Sequence, residues 1–130
     1  MGGRMRALLD TSIVVATNVA ELEGELAISV ITLAELHFGV LVARDPATRA
    51  ERLRRLSVLQ RQFDALPLDD AVAASYGEIA AAVVKAGRQP RARTMDLLIA
   101  ATAYAHSARL YTRNPDDFIG ADKHVEIVTA

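Results

Sequence analysis

An α/β fold, a three-layer α/β/α sandwich around a mainly parallel sheet, follows from three features of the sequence. Short apolar runs alternate with longer stretches of helical periodicity. The apolar runs are continuous rather than alternating with polar residues, as in strands covered on both faces. Strand–helix alternation of this kind implies parallel pairing through right-handed crossovers. The 130 residues suit one domain spanning 1–130, since domains run to roughly 100–200 residues.

The elements follow in order. Ala7-Leu8-Leu9 reads as a buried strand ending at Asp10, with a helix from about Ser12 to Leu22. Leu26–Val30 is a second strand, followed by a helix from about Thr32 to Ala43 and a break at Asp45-Pro46. A charged helix from Ala47 to Phe63 carries Leu53, Leu56, Leu59 and Phe63 at helical spacing. Leu66-Pro67-Leu68 is a short extended piece. Asp69-Asp70 opens a helix with the face Val72, Tyr76, Ile79 and Val83, which Gly87 ends. Arg88 to Arg93 is a basic loop, and Thr94 to Ser107 a very apolar helix. Arg109–Thr112 is a strand, Asn114-Pro115 starts a turn, and Val125–Val128 is the last strand.

Composition removes whole classes of function. The chain has no cysteine, which excludes disulfides, Cys-based zinc sites, iron–sulfur clusters and thiol nucleophiles. Hydrophobic residues make up 52%, too many for a disordered chain. No apolar run approaches the roughly 18 residues of a membrane span, and Met1–Arg6 has no signal-peptide apolar run, so a soluble cytoplasmic protein with no membrane partner is expected. The residues before Met5 read as an extension. A net charge of −1 is no basic nucleic-acid coat. Yet 13 of the 15 cations are arginine, whose fork suits phosphate; genomic base composition produces the same bias. No Gly-x-Gly-x-x-Gly or phosphate loop is present.

In a parallel sheet, sites lie beyond the carboxyl ends of the strands. Acids sit there repeatedly: Asp10 after the first strand, Glu35 one helical turn after the second, Asp96 in the first turn of the apolar helix, Asp116 and Asp117 after the strand ending at Thr112. Each has a structural role open to it. Asp10 can cap a helix, Thr32-x-x-Glu35 matches a capping box, Asp96 complements a helix dipole, and Asp116-Asp117 suits a turn. Four chain-distant acids at one sheet edge are poorly explained by four independent caps. Two carboxylates about 4 Å apart repel by roughly 4 kcal/mol at an effective dielectric near 20. A divalent cation removes that penalty, and oxygen-only ligands suit Mg²⁺ or Mn²⁺ rather than zinc. The chemistry implied is metal-assisted phosphodiester hydrolysis. A phosphotransfer protein using Asp10 and a non-catalytic α/β binding module are the alternatives. Against the first, Asp10-Thr11-Ser12 lacks a second Asp two residues on.

The ordered motifs Leu8-Leu9-Asp10-Thr11-Ser12, Thr32-x-x-Glu35-Leu36-x-x-Gly39, Asp96-x-x-Ile99-Ala100-Ala101-x-Ala103 and Thr112-x-Asn114-x-x-Asp117-Phe118 resemble those of PIN-domain ribonucleases, more narrowly the VapC-type toxins of bacterial toxin–antitoxin pairs. The resemblance implies a Mg²⁺- or Mn²⁺-dependent endoribonuclease that cuts structured cellular RNA such as tRNA or rRNA. It also implies a homodimer held in check by an antitoxin protein. Matched position by position, Asp10 and Asp96 are the principal metal-binding aspartates, Glu35 the third acid and Asp117 the fourth, with Asp116 its rival. Thr11, Thr112 and Asn114 are candidate supports.

Arg91 and Arg93 lead into Asp96 and are candidate RNA-binding residues. Arg49, Arg52, Arg54, Arg55 and Arg61 on the charged helix read equally well as an RNA-binding stripe or a solvated face. His37, His106 and His124 do not pair at metal-ligand spacing, so no catalytic role is expected of them.

Overall fold

The computed structural model describes residues 5–16 and 22–130. Five strands, β1 (Arg6–Leu9), β2 (Glu25–Ser29), β3 (Ala65–Leu66), β4 (Arg109–Thr112) and β5 (Ile127–Thr129), form one sheet in the order β3-β2-β1-β4-β5. All four pairings are parallel. The expected helix after the first strand is α1 (Thr11–Ala16); positions 17–21 and the extension before Met5 lie outside the described residues, and Leu22, the expected helix end, is a bend. Four more helices follow: α2 (Val30–Leu41), α3 (Pro46–Gln62), α4 (Asp70–Lys85) and α5 (Thr94–Ala105).

The strand faces separate two cores. Successive side chains of a strand point to opposite faces, so Leu8 packs with Ile79, Val83, Leu97, Leu110 and Phe118 on the α4/α5 side. Its neighbours Ala7 and Leu9 pack with Ile13, Val14, Ile28 and Leu59 on the α1/α3 side. Helix α2 lies between them, giving Ile31 to the first cluster and Leu33 and Leu36 to the second. The three-layer sandwich is thus built from both faces of β1.

Several boundaries differ from the sequence reading. Helix α2 begins at Val30, not Thr32, because Ser29 is its cap and accepts a hydrogen bond from the Thr32 amide at 3.2 Å. Thr32 therefore caps nothing, and the capping box does not form. Ser29 is fully buried, so Ser29→Ala leaves an amide without its acceptor. It should cost about 1 kcal/mol, read as a shifted urea midpoint; an unchanged midpoint would deny the cap its weight. The basic loop contains a 3-10 turn, Pro90–Arg93. The last strand starts at Ile127, two residues later than expected. Leu53 is 52% exposed, so only Leu56 and Leu59 anchor α3.

Four arginines of the charged stripe of α3 make contacts within the fold. Arg49 donates to the Ala43 carbonyl and Arg52 to the Gly39 carbonyl, at 3.1 and 2.7 Å. Arg55 donates to the Val14 carbonyl at 3.1 Å, and Arg54 pairs with Glu51. Arg49, Arg52 and Arg55 satisfy carbonyls at or just beyond the ends of α1 and α2, where helices leave acceptors unpaired.

Strand order decides where a cleft opens. The chain runs from β1 outward to β2 and β3, then returns to β4 on the other flank of β1. Connections therefore leave in opposite directions beyond the carboxyl ends of β1 and β4, the switch point where such sheets bind ligands.

Candidate active site

Asp10 follows β1 at this switch point and is 5% exposed. Two hydroxyls hold it. Thr112, the last residue of β4, donates to Asp10 Oδ2 at 2.8 Å, and Ser12 donates to the same oxygen at 2.8 Å. Thr112 is itself fully buried and accepts from the Asn114 amide at 3.0 Å. Ser12 accepts from the Arg113 amide at 3.1 Å. A buried carboxylate without donors is costly; here the first turn of α1 and the end of β4 supply them.

Glu35 comes from the second turn of α2. Thr11 donates to Glu35 Oε1 at 2.6 Å, and its hydroxyl lies 3.0 Å from that of Thr32. Thr11 is a support expected from the sequence; Ser12 and Thr32 are further partners that sequence reasoning missed. Their signal was present as hydroxyls two residues after Asp10 and three before Glu35.

Asp96 sits in the first turn of α5. Burial pushes its pKa from 3.8 up to about 6, with further upward pressure from the charges of Asp10, Asp117 and Glu35, in that order. Arg93 acts in the opposite direction. Like charges raise a carboxyl pKa, and Asp10, Glu35 and Asp117 all bear on Asp96.

Asp117 belongs to the 3-10 turn Pro115–Phe118 after β4. It is partly buried and pairs with Arg93 at 3.3 Å. Its neighbour Asp116 is exposed, is not among the charges acting on Asp96, and offers its carbonyl to Arg88 at 3.5 Å. Of the two, Asp117 is the one beside the cluster. Asn114 enters through its backbone, which accepts from the Asp117 amide at 3.1 Å. Arg91 is exposed, and its carbonyl accepts from Thr94.

Among the described residues, no three His, Asp or Glu side chains stand close enough to hold one ion as they are. The donor chemistry nevertheless fits a hard divalent cation. Asp10, Glu35, Asp96 and Asp117 offer carboxylate oxygens alone.

The Thr11–Glu35 hydrogen bond gives a testable result. A hydrogen bond to a charged group is worth about 1.5–3 kcal/mol. If Glu35 acts in catalysis, Thr11→Val should slow turnover by roughly ten- to a hundredfold and lower the melting temperature by several degrees. Thr11→Ser should restore turnover. An unslowed Thr11→Val protein would show that Glu35 needs no such support.

Residues 7–123 match the family described as PIN domain. The chain is 40% identical over 100 residues to ribonuclease VapC8 of Mycobacterium tuberculosis, covering 74% of this chain and 88% of that protein. It is 36% identical over 129 residues to ribonuclease VapC5 of the same organism, covering 93% of each. A crystal structure of VapBC-5 from Mycobacterium tuberculosis, a member of the VapBC family of toxin–antitoxin systems, superposes with a TM-score of 0.84 and 34% identity, covering 96% of this chain and 98% of that one.

Proposed function

The chain belongs to the PIN-domain family, and from that premise we propose that it is the ribonuclease toxin of a VapBC-type pair, a Mg²⁺- or Mn²⁺-dependent endoribonuclease cutting structured RNA such as tRNA or rRNA. One observation carries the reading: Asp10, Glu35 and Asp117 all act on Asp96 at the switch point of a parallel sheet.

In this reading Asp10, Asp96, Glu35 and Asp117 hold the cation. A bound divalent ion would lower the pKa of water and neutralise charge on a phosphodiester. The protein groups have separate tasks. Thr112 and Ser12 fix the orientation of the Asp10 carboxylate. Thr11 engages one oxygen of Glu35, leaving the other to orient the attacking water. Arg93, already beside Asp117, supplies positive charge near the substrate phosphate, and exposed Arg91 extends it.

The relatives' names and the VapBC complex support an antitoxin partner. So does an open groove of about 360 Å³ between α1, α2 and α3, floored by Val14, Leu36, Leu56 and Leu59 and reaching Thr11 and Glu35. A peptide with apolar side chains and a basic end would fill the groove and neutralise the acids. A homodimer and a cytoplasmic location complete the proposal; sedimentation reads the first. Among the described residues no helix is long and apolar enough to cross a membrane.

The test is cleavage of total cellular RNA by purified protein in Mg²⁺, Mn²⁺ or EDTA. Discrete fragments that need the metal are expected. If no fragments form and calorimetry finds no binding of either ion, the non-catalytic module replaces the nuclease. Fragments that persist in EDTA would remove the metal from the mechanism.

A further inference from the structure

A second cavity, of about 280 Å³, adjoins the acid cluster on the side away from the apolar groove. It lies between the C-terminal turn of α4, the Pro90–Arg93 turn and the chain leaving Phe118. Its floor is apolar: Val83 of α4 and Leu97 of α5 are buried, and Ile119 forms one lip at 37% exposure. Its rim is cationic, with Arg88 and Arg93. Asp117 belongs both to its wall and to the cluster acting on Asp96.

Gly120 holds the Ile119 lip close to α4. Its φ is +97°, and a Cβ there would stand 2.8 Å from the Val83 Cα. Only glycine combines that backbone conformation with so close an approach. The cleft is therefore built into the chain path rather than left by a loose side chain.

We propose that this cleft binds one nucleotide of the RNA, immediately beside the bond that is cut. The inference rests on the nuclease reading and deepens it. A nucleotide presents a flat, largely apolar base and a phosphate, and the cleft offers an apolar floor and two guanidiniums on the rim. Its volume falls near the lower end of small-ligand sites, about 300 Å³, which suits a single nucleotide rather than a helix. Arg93 gives one amino group to Asp117 and Arg88 one to the Asp116 carbonyl. Each guanidinium carries five N–H donors, so both retain donors for phosphate. Because Asp117 is shared, a nucleotide held here places its neighbouring phosphodiester against the four carboxylates. The cleft then selects which base can flank the cut.

The test uses the full-length protein with labelled Val, Leu and Ile methyl groups. Each of the four nucleoside 5′-monophosphates, inorganic phosphate and the free nucleosides are titrated in turn by NMR. At least one monophosphate should shift the methyls of Val83, Leu97 and Ile119, and inorganic phosphate should not. Arg88→Gln should weaken that response by about tenfold, the loss of one charge-assisted contact. Ile119→Ser should weaken it too and alter which sites are cut in cellular RNA. Unmoved methyls, shifts that inorganic phosphate reproduces, or shifts unchanged in both variants would overturn the cleft. A protein that binds monophosphates in this way but neither cuts RNA nor binds Mg²⁺ or Mn²⁺ would overturn the nuclease reading and leave the nucleotide site standing.

Discussion

Asp96→Asn should abolish RNA cleavage while making the metal-free protein more resistant to heat at neutral pH. The two effects share one cause. Asp96 is half-buried at the start of α5 and faces the charges of Asp10, Asp117 and Glu35. In the cluster proposed here its negative charge holds the cation, and asparagine keeps the shape while removing that charge. Loss of one preorganised electrostatic group in an active site costs about a hundred- to a thousandfold in turnover, and a drop of at least that size is expected. Stability moves the other way. In the folded chain Asp96 holds its proton up to about pH 6, against 3.8 for the free group. Between those values the native state binds more protons than the unfolded chain, so stability falls as pH rises through the window. Above it the full cost of the buried charge is present; below about pH 3.8 it vanishes. Melting curves in EDTA should therefore converge near pH 4 and separate above pH 6, with the Asn variant higher, and added Mg²⁺ should raise the melting temperature of the wild type alone. A constant offset across pH would mean that the like charges are not acting on Asp96. An active Asp96→Asn protein would remove it from the catalytic set.

What the sequence could disclose depended on how locally each feature is encoded. Strand β1 was legible because Ala7, Leu8 and Leu9 form a continuous apolar run that both faces of the sheet require. The placement of Asp10 at a strand end then followed from the parallel rule alone. The cap of α2 was ambiguous because Ser29 and Thr32 are both competent caps. Ser29 takes the role by accepting the Thr32 amide, while the Thr32 hydroxyl lies against Thr11, 21 residues away. The contacts of the α3 arginines were hidden for the same reason. Arg49, Arg52 and Arg55 recur at helical spacing, and nothing nearby announces that their acceptors are carbonyls of Ala43, Gly39 and Val14. The Arg93–Asp117 pair was equally hidden. Each residue was singled out, but the ion pair joining turns at 90–93 and 115–118 exists only in the fold. Residue types and end positions were readable; pairings across the sheet were not.

Phe118→Ala should cost about 3–5 kcal/mol, the range for deleting a fully buried phenyl ring. No part of Phe118 is exposed, and its ring belongs to the core that joins Leu8 of β1, Leu97 of α5 and Leu110 of β4. Alanine would leave a cavity where three elements meet, and those elements cannot collapse without moving the sheet. Domains of this size are stable by about 5–15 kcal/mol, so the variant should stay folded in mild buffer with a clearly lower urea midpoint. The functional consequence is separate. Phe118 pins the short turn that carries Asp117, whose neighbour Ile119 forms the lip of the second cleft. Releasing that anchor lets Asp117 drift from Asp96 even in molecules that remain folded. Cleavage per folded molecule should therefore fall as well, and Phe118→Leu should recover most of the stability and part of the activity. A loss of stability with full activity per folded molecule would show that the turn is held by its backbone instead, through the Asp117 amide bonded to the Asn114 carbonyl. The two results distinguish a ring that only fills the core from one that also sets the position of the fourth acid.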